Sequence, residues 1–171
     1  MTTLADCNVH NVQKFTLKNL ETKCKICRIL DGDTIDCILP LFGNNYIFTI
    51  RLGDIDTCEM KSKNLENKNL ALEARKRLCE LISDDLSDIP LNISKKDLNT
   101  RLNTNNYIVN IRCGDFDKYG RLIGWLFKED APIDIPIEES FNYILINEKL
   151  AYKYEGKTKL TEEEQLSKLN S

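Results

Sequence analysis

Five short segments rich in apolar residues predict β-strands. Apolar and polar residues alternate in the earlier segments, as expected where side chains two apart share a face, and the last segment is an apolar run. The five segments run approximately over residues 23–30, 34–41, 45–53, 107–112 and 122–127. Asp31-Gly32 and Gly43 with the asparagines after it separate the first three, as expected for hairpin turns. The sequence therefore predicts a three-stranded meander and two later strands, with Trp125 in the interior of the sheet.

A second pattern, with apolar residues three or four apart, predicts helices. The first covers about residues 66–82, with a buried stripe formed by Leu70, Ala74, Leu78 and Leu81. Its charged residues, Arg75 among them, are expected to face solvent. Ser140 is a predicted cap for a second helix that continues to about Leu150, and Thr161 opens a short third helix with a capping box.

The length and composition of the chain favour a single domain. Its 171 residues are 42% hydrophobic, enough for one core and too few for two. Residues 1–22 show little periodicity and are predicted to form an N-terminal arm, so the domain would cover residues 23–171.

Residues 83–105 are long for a connection. We expect them on the surface, either as a plain insertion or with a short capped helix at 94–102 that could touch nucleic acid. The predicted fold class is α+β, mainly β: a five-stranded OB-fold barrel with about three helices packed on it.

Cysteine content and the N-terminus bear on the compartment. The chain has seven cysteines, an odd number, and begins without the pattern of an export signal. We therefore expect reduced thiols and an intracellular protein, with its compartment left open. No run of 18 apolar residues predicts a membrane segment. Cys24 and Cys27 have the spacing of a zinc or redox pair, but no second pair completes a zinc site, so core thiols are the prediction.

The densest group of charged residues lies between Arg51 and Glu59, directly after the third predicted strand. It contains Asp54, Asp56 and the hydroxyl of Thr57. Carboxylates this close repel one another unless a cation or several donors compensate them. Because the chain has one histidine and many oxygen donors, a hard cation such as calcium or magnesium is favoured. A solvated acidic turn remains the alternative on this stretch alone.

Three motifs, in this order, resemble those of the staphylococcal nuclease family. They are Asp31-Gly-Asp-Thr34, Arg51-x4-Asp-Thr-x-Glu59 and Asp117-Lys-Tyr-Gly-Arg121. The resemblance extends from about Lys23 to about Tyr154, with a longer connection before the third motif than the family archetype has. It implies a nuclease that hydrolyses phosphodiester bonds of DNA, RNA or both with one calcium ion and leaves 3′-phosphate ends.

The resemblance also implies a role for each site residue. The calcium ligands would be Asp33, Asp56 and the backbone carbonyl of Thr57. The catalytic residues would be Arg51, Glu59 and Arg121. The two arginines would bind phosphate and are expected to face a solvent-filled site. Substrate contacts would come from Lys118, Tyr119 and Tyr154, with Tyr152 as the alternative to Tyr154. Cys58 stands where the family usually has proline, so the orientation of Glu59, the water-orienting residue or general base, stays open.

The charge of the chain is a partial objection to nucleic-acid binding, and it predicts weaker, more salt-sensitive binding than a strongly basic nuclease would show. The net charge is −3, but residues 128–171 hold six basic and ten acidic side chains, which leaves +1 for the rest. Single- or double-stranded DNA and RNA are the expected partners, and no obligate protein partner is evident. The alternatives are an OB-fold module that binds nucleic acid without cleaving it and a thiol-based redox or zinc protein.

Overall fold

Five strands close into a barrel in the computed structural model, which describes residues 2–171. The strands of the chain are β1 (Glu21–Ile29), β2 (Thr34–Leu41), β3 (Asn44–Leu52), β4 (Ile55–Asp56), β5 (Ile108–Phe116), β6 (Leu122–Phe127) and β7 (Tyr152–Lys153). The order around the barrel is β1, β2, β3, β6, β5, and β5 pairs with β1 to close it. The β3–β6 pair is parallel and the other barrel pairs are antiparallel, while β4 and β7 pair outside the barrel. This OB-fold-like α+β architecture confirms the predicted fold class.

Four α-helices accompany the barrel within residues 2–171. They are α1 (Leu65–Ile82), α2 (Lys95–Thr104), α3 (Phe141–Asn147) and α4 (Glu162–Leu169). Each begins after a polar residue whose side chain accepts a hydrogen bond from a backbone N–H in the first turn. The sequence predicted about three helices and did not decide whether a short capped helix forms at 94–102. Helix α2 is that additional helix.

The barrel interior follows the alternation of the strands. On β2, for example, Ile35, Cys37 and Leu39 are buried, and on β6 Leu122 and Leu126 are buried. All seven cysteines are free thiols, and six of them are buried. They behave as small core residues, as predicted.

Trp125 lies on the outer face of the barrel, so its predicted interior position is wrong. The two-residue period of β6 puts Leu122, Gly124 and Leu126 inside and leaves Trp125 half-buried outside. Its indole ring packs so closely on Gly53 that a Cβ there would lie 2.4 Å from it. The indole N–H donates to Asp54 Oδ2 (3.2 Å) at the edge of a cleft described below.

Arg75 is also placed differently from the prediction, because it is 2% exposed rather than solvated. Its Nη2 donates to the backbone carbonyl of Ile93 (2.6 Å). Desolvation by burial lowers the pKa of this arginine from its ordinary value. The guanidinium thus ties α1 to the segment that precedes α2.

Residues 83–105 and the end of the N-terminal segment both contribute to the core. In residues 83–105 the side chains of Leu86, Ile89, Leu98 and Leu102 are buried. In the N-terminal segment Leu17 is buried as well.

Within residues 2–171, no helix combines the length and the apolar character needed to cross a membrane.

Candidate active site

A cleft of about 870 Å³ collects the polar residues of all three motifs. It lies where β2 begins and β3 ends, because Thr34 and Arg51 are register partners there. Eight of the nine predicted site residues line it, namely Asp33, Arg51, Thr57, Glu59, Lys118, Tyr119, Arg121 and Tyr154. The ninth, Asp56, is fully buried behind the cleft wall.

The guanidinium of Arg51 bridges the two predicted metal-binding carboxylates. Its Nη1 lies 3.3 Å from Asp33 Oδ2, and its Nη2 donates to Asp56 Oδ1 (2.8 Å). The Arg51 side chain lines the cleft, as expected, but it is only 11% exposed, so it is more deeply buried than the sequence suggested. The ring of Tyr154 lies under the guanidinium, 5.8 Å from its central carbon.

Asp33 is held by several donors from its own motif and the next. The backbone N–H and hydroxyl of Thr57 donate to Asp33 Oδ2 (2.9 and 3.1 Å), and the Thr34 hydroxyl donates to Oδ1 (2.9 Å). The backbone N–H of Asp33 donates to Asp31 Oδ1 (3.0 Å), closing the tight turn of the first motif. Contacts from Thr34 in the same motif and from Thr57 in the second motif together fix the orientation of the Asp33 carboxylate.

Burial and mutual repulsion shift the pKa values of these acids. Desolvation, followed by the charge of Asp33, raises the pKa of Asp56 to about 6 and that of Asp31 to about 7. Desolvation would also raise the pKa of Asp33, but Arg51 and the hydrogen bonds to its carboxylate hold it below its ordinary value. The buried carboxylates of Asp33 and Asp56 and the partly buried carboxylate of Asp31 therefore form a locally negative group at the cleft wall, which the Arg51 guanidinium compensates only in part.

Two residues outside the predicted set contact these acids from the C-terminal part of the chain. The Lys159 ammonium lies 3.6 Å from Asp56 Oδ1 and forms an ion pair with Glu59. The Tyr152 hydroxyl donates to Asp56 Oδ2, and burial, followed by that hydrogen bond, raises the pKa of the tyrosine. Sequence reasoning had no signal for Lys159, which is separated from Glu59 by 100 positions.

Arg121 is oriented by the turn of its own motif. Asp117 Oδ1 accepts hydrogen bonds from the backbone N–H groups of Tyr119 and Arg121 (2.9 Å each), and Oδ2 accepts one from Arg121 Nε (2.8 Å). Gly120 has a φ of +82°, which a side chain would strain. The 72% exposed ring of Tyr119 lies 5.4 Å from the guanidinium carbon of Arg121 and 5.1 Å from the Lys118 ammonium.

Packing of Cys58 anchors the backbone before the exposed Glu59. Cys58 is buried in a small cluster with Ala71, Tyr152 and Leu169. Its sulfur accepts a hydrogen bond from Asn67 Nδ2 (3.7 Å), and burial raises the pKa of the thiol to about 11. Side-chain packing at Cys58 therefore restrains the backbone directly before Glu59.

The donor chemistry of the cleft fits a hard divalent cation. Asp33 and Asp56 are 6% and 0% exposed, so their charges need a compensating cation, and carboxylate and carbonyl oxygens are the ligands that calcium prefers. Within residues 2–171, no three or more His, Cys, Asp or Glu side chains cluster as a metal site. The predicted calcium set differs from such a cluster because its third ligand is the Thr57 backbone carbonyl. The zinc alternative gains no support in this part of the chain.

Comparison with known proteins finds no protein-family model and no curated protein that matches this chain.

Proposed function

We propose that this protein is a calcium-dependent nuclease that hydrolyses phosphodiester bonds of DNA, RNA or both and leaves 3′-phosphate ends. One observation carries the proposal. The three motifs lie up to about 90 positions apart in the sequence, yet two arginines, a glutamate and a buried carboxylate pair meet at a single cleft. Such a set of groups suits an anionic substrate that acquires further negative charge in its transition state.

Arg51 and Arg121 would bind the phosphate that is attacked. A guanidinium offers five N–H donors, so Arg51 can hold both aspartates and still donate to a phosphate oxygen. Arg121 is already oriented by Asp117 (2.8 Å), which reduces the entropy lost when it binds. Together they would stabilise the charge that grows on the phosphoryl oxygens.

Glu59 would accept the proton of the attacking water or orient that water. In the structure its carboxylate is paired with Lys159, so the ion pair has to separate before the glutamate can act as a base. Substrate phosphate entering the cleft offers the lysine an alternative anionic partner. Tyr119 and Lys118, at the rim, would contact the flanking nucleotide.

Asp33, Asp56 and the Thr57 carbonyl would hold the calcium ion. When bound, calcium supplies a positive charge that polarises the phosphoryl group and favours a nucleophilic water.

The experiment that tests the proposal is cleavage of single-stranded DNA, double-stranded DNA and RNA by the wild-type protein. Each substrate is incubated with calcium, with magnesium or with chelator, and the ends of the products are analysed. We expect calcium-dependent cleavage with 3′-phosphate ends. Intact substrates that still bind the folded protein without calcium would instead identify a binding module that lacks the chemistry.

A further inference from the structure

Four phenylalanine rings form a row that starts at Phe42 in the β2–β3 turn and continues through Phe15 to Phe116, at the end of β5, and Phe48, on β3. The ring centroids of Phe42 and Phe15 are 6.1 Å apart, those of Phe15 and Phe116 are 6.5 Å apart, and those of Phe116 and Phe48 are 6.5 Å apart. Phe42 is 76% exposed, Phe15 is 62% exposed and Phe116 is 37% exposed. A contiguous patch of exposed aromatic side chains is typical of a surface that binds another molecule. We call these four residues the phenylalanine row.

The backbone conformation at Phe42 is unfavourable for a phenylalanine. Phe42 has a φ of +51° and Gly43 a φ of +77°. In such a two-residue turn both positions favour Asn, Asp or Gly, and a bulky side chain there is a conformational outlier. Strain at an exposed position points to a role in binding.

Phe15 is held in place by the segment that follows it. The Thr16 hydroxyl donates to Asp115 Oδ1 (2.9 Å), Leu17 is 6% exposed, and the backbone N–H of Asn19 donates to the Cys113 carbonyl (2.8 Å). These contacts fix the segment beside β5. The Phe15 ring is therefore part of a preformed surface.

The row leads into the candidate cleft and lies in a locally favourable charge environment. Phe116 ends β5, and the next residue opens the turn that carries Tyr119 and Arg121 into the cleft. Residues 13–20 and 115–121 together hold four basic and two acidic side chains, and residues 37–50 hold no charged side chain, whereas the whole chain is at −3. A negative backbone is thus attracted to this edge of an otherwise acidic protein.

We propose that the phenylalanine row is a subsite on which the bases of single-stranded nucleic acid stack. The strand would reach the row after it leaves the cleft past Tyr119. Surfaces that bind single strands combine aromatic rings, on which bases stack, with nearby basic side chains. A duplex keeps its bases paired in its interior, so it cannot use the row in this way. The role of the row in selecting a substrate rests on the proposed nuclease function, but binding to the row does not.

Binding of fluorescent oligothymidylates, measured by anisotropy in chelator so that no cleavage interferes, tests this proposal. One oligonucleotide of about 4 nucleotides fits the cleft, and one of about 12 reaches the row. We expect Phe15→Ala and Phe42→Asn to weaken binding of the longer one about fivefold or more and to leave the shorter one unaffected. The matched control is Ile133→Ala, because Ile133 is 86% exposed and lies outside the row.

Thermal unfolding of the same variants separates binding from stability. Because asparagine tolerates positive φ, Phe42→Asn should keep or raise the melting temperature while affinity falls. Equal affinity of wild type and both variants for the longer oligonucleotide, or its failure to bind the wild type, would overturn the subsite. Self-association abolished by Phe15→Ala, with oligonucleotide affinity unchanged, would also overturn it and assign the row to contact between two copies. Binding that depends on the row, from a protein that cleaves nothing, would contradict only the proposed nuclease.

Discussion

Arg51 largely determines the charge balance of the candidate site. Its guanidinium lies between Asp33 and Asp56, at 3.3 and 2.8 Å, and all three side chains are nearly inaccessible. A buried carboxylate without a partner is strongly unfavourable. Arg51 therefore stabilises the fold when no metal is bound, in addition to the phosphate-binding role proposed for it.

This dual role predicts that the two arginines differ when replaced. In chelator, Arg51→Ala should lower the free energy of unfolding by about 3–5 kcal/mol, because two buried carboxylates lose their partner. Calcium should restore a large part of that loss. Arg121→Ala should cost less than about 1 kcal/mol, because Arg121 is paired at a more exposed position. Urea unfolding with and without calcium measures both, and equal stability of the two variants would contradict this role of Arg51.

Lys159 supplies a positive charge close to the predicted metal ligands, 3.6 Å from Asp56 Oδ1. Because this side chain is half-exposed, its attraction is worth about 1 kcal/mol. Lys159→Met should therefore tighten calcium binding about fivefold in calorimetric titration. Lys157→Met is the control, since Lys157 lines the same cleft but forms no ion pair within residues 2–171. Weaker calcium binding by Lys159→Met would show instead that the lysine holds the ligands in position.

At the residue scale, the sequence predicts those site residues that belong to motifs. Asp31 and Asp33 of the first motif, and Asp117 and Arg121 of the third, are joined by hydrogen bonds between neighbours in the chain. Lys159 was not predictable, and the sequence indicated Tyr152 only as an alternative to Tyr154 and not as a partner of Asp56. Both residues reach Glu59 and Asp56 from about 100 positions away. No local pattern records such a contact.

At the element scale, the helical period located α1 to within one residue at its start. The same pattern could not identify Arg75 as buried, because periodicity does not show which neighbour covers a helix face. Trp125 was misassigned because its strand is apolar on both faces, and such a run does not reveal which residues point inward. In both cases the packing of distant segments decided the outcome.

Packing of α1 against the first motif gives a prediction at the same scale. A Cβ on Gly32 would lie 2.7 Å from Ala74 Cβ and 3.2 Å from the Ala74 carbonyl carbon, so the helix has to move. Gly32→Ala should cost about 1–3 kcal/mol in unfolding free energy. It should also weaken calcium binding, because Asp33 is the next residue.

A double-mutant cycle with Ala74→Gly provides the control for this prediction. Ala74→Gly alone should cost about 1 kcal/mol, as expected inside a helix. If the contact is the cause, the double variant should lose less than the sum of the two single losses. Strict additivity would show that Gly32 matters for another reason.

At the scale of the whole molecule, barrel closure could not be predicted in detail. The sequence indicates five strands, but the parallel β3–β6 pair joins segments about 70 positions apart, and β5 returns to β1. No local signal in the sequence specifies these pairings. The fold class follows from the strand and helix pattern, whereas the order of strands does not.

The acids of the cleft predict how stability depends on pH without metal. The pKa of Asp31 and that of Asp56 are raised from 3.8 to about 7 and about 6. At pH values between the ordinary pKa of 3.8 and these raised pKa values, the folded protein binds more protons than the unfolded chain. The free energy of unfolding therefore falls as pH rises through this range. The lowered pKa of Asp33 acts below this window. We expect a lower melting temperature near pH 8 than near pH 5 in chelator, with about 2–4 °C for each kcal/mol.

Calcium should reverse this trend, because it favours the ionised carboxylates. Asp31→Asn is the control, since it removes one of the two titrating groups and should flatten the profile measured by circular dichroism. A melting temperature that rises with pH in chelator would contradict the electrostatic description of the cleft.

The central claim is that the three motifs form one catalytic cleft. The most direct measurement is the rate of calcium-dependent cleavage of a single-stranded oligonucleotide by wild type, Glu59→Gln and Arg121→Ala. Lys128→Ala serves as the control, because Lys128 is exposed and lies outside the cleft. We predict that kcat/KM falls about 100-fold or more in the first two variants and is unchanged in the control. Wild-type rates in Glu59→Gln and Arg121→Ala, or no cleavage by the folded wild type, would contradict the account.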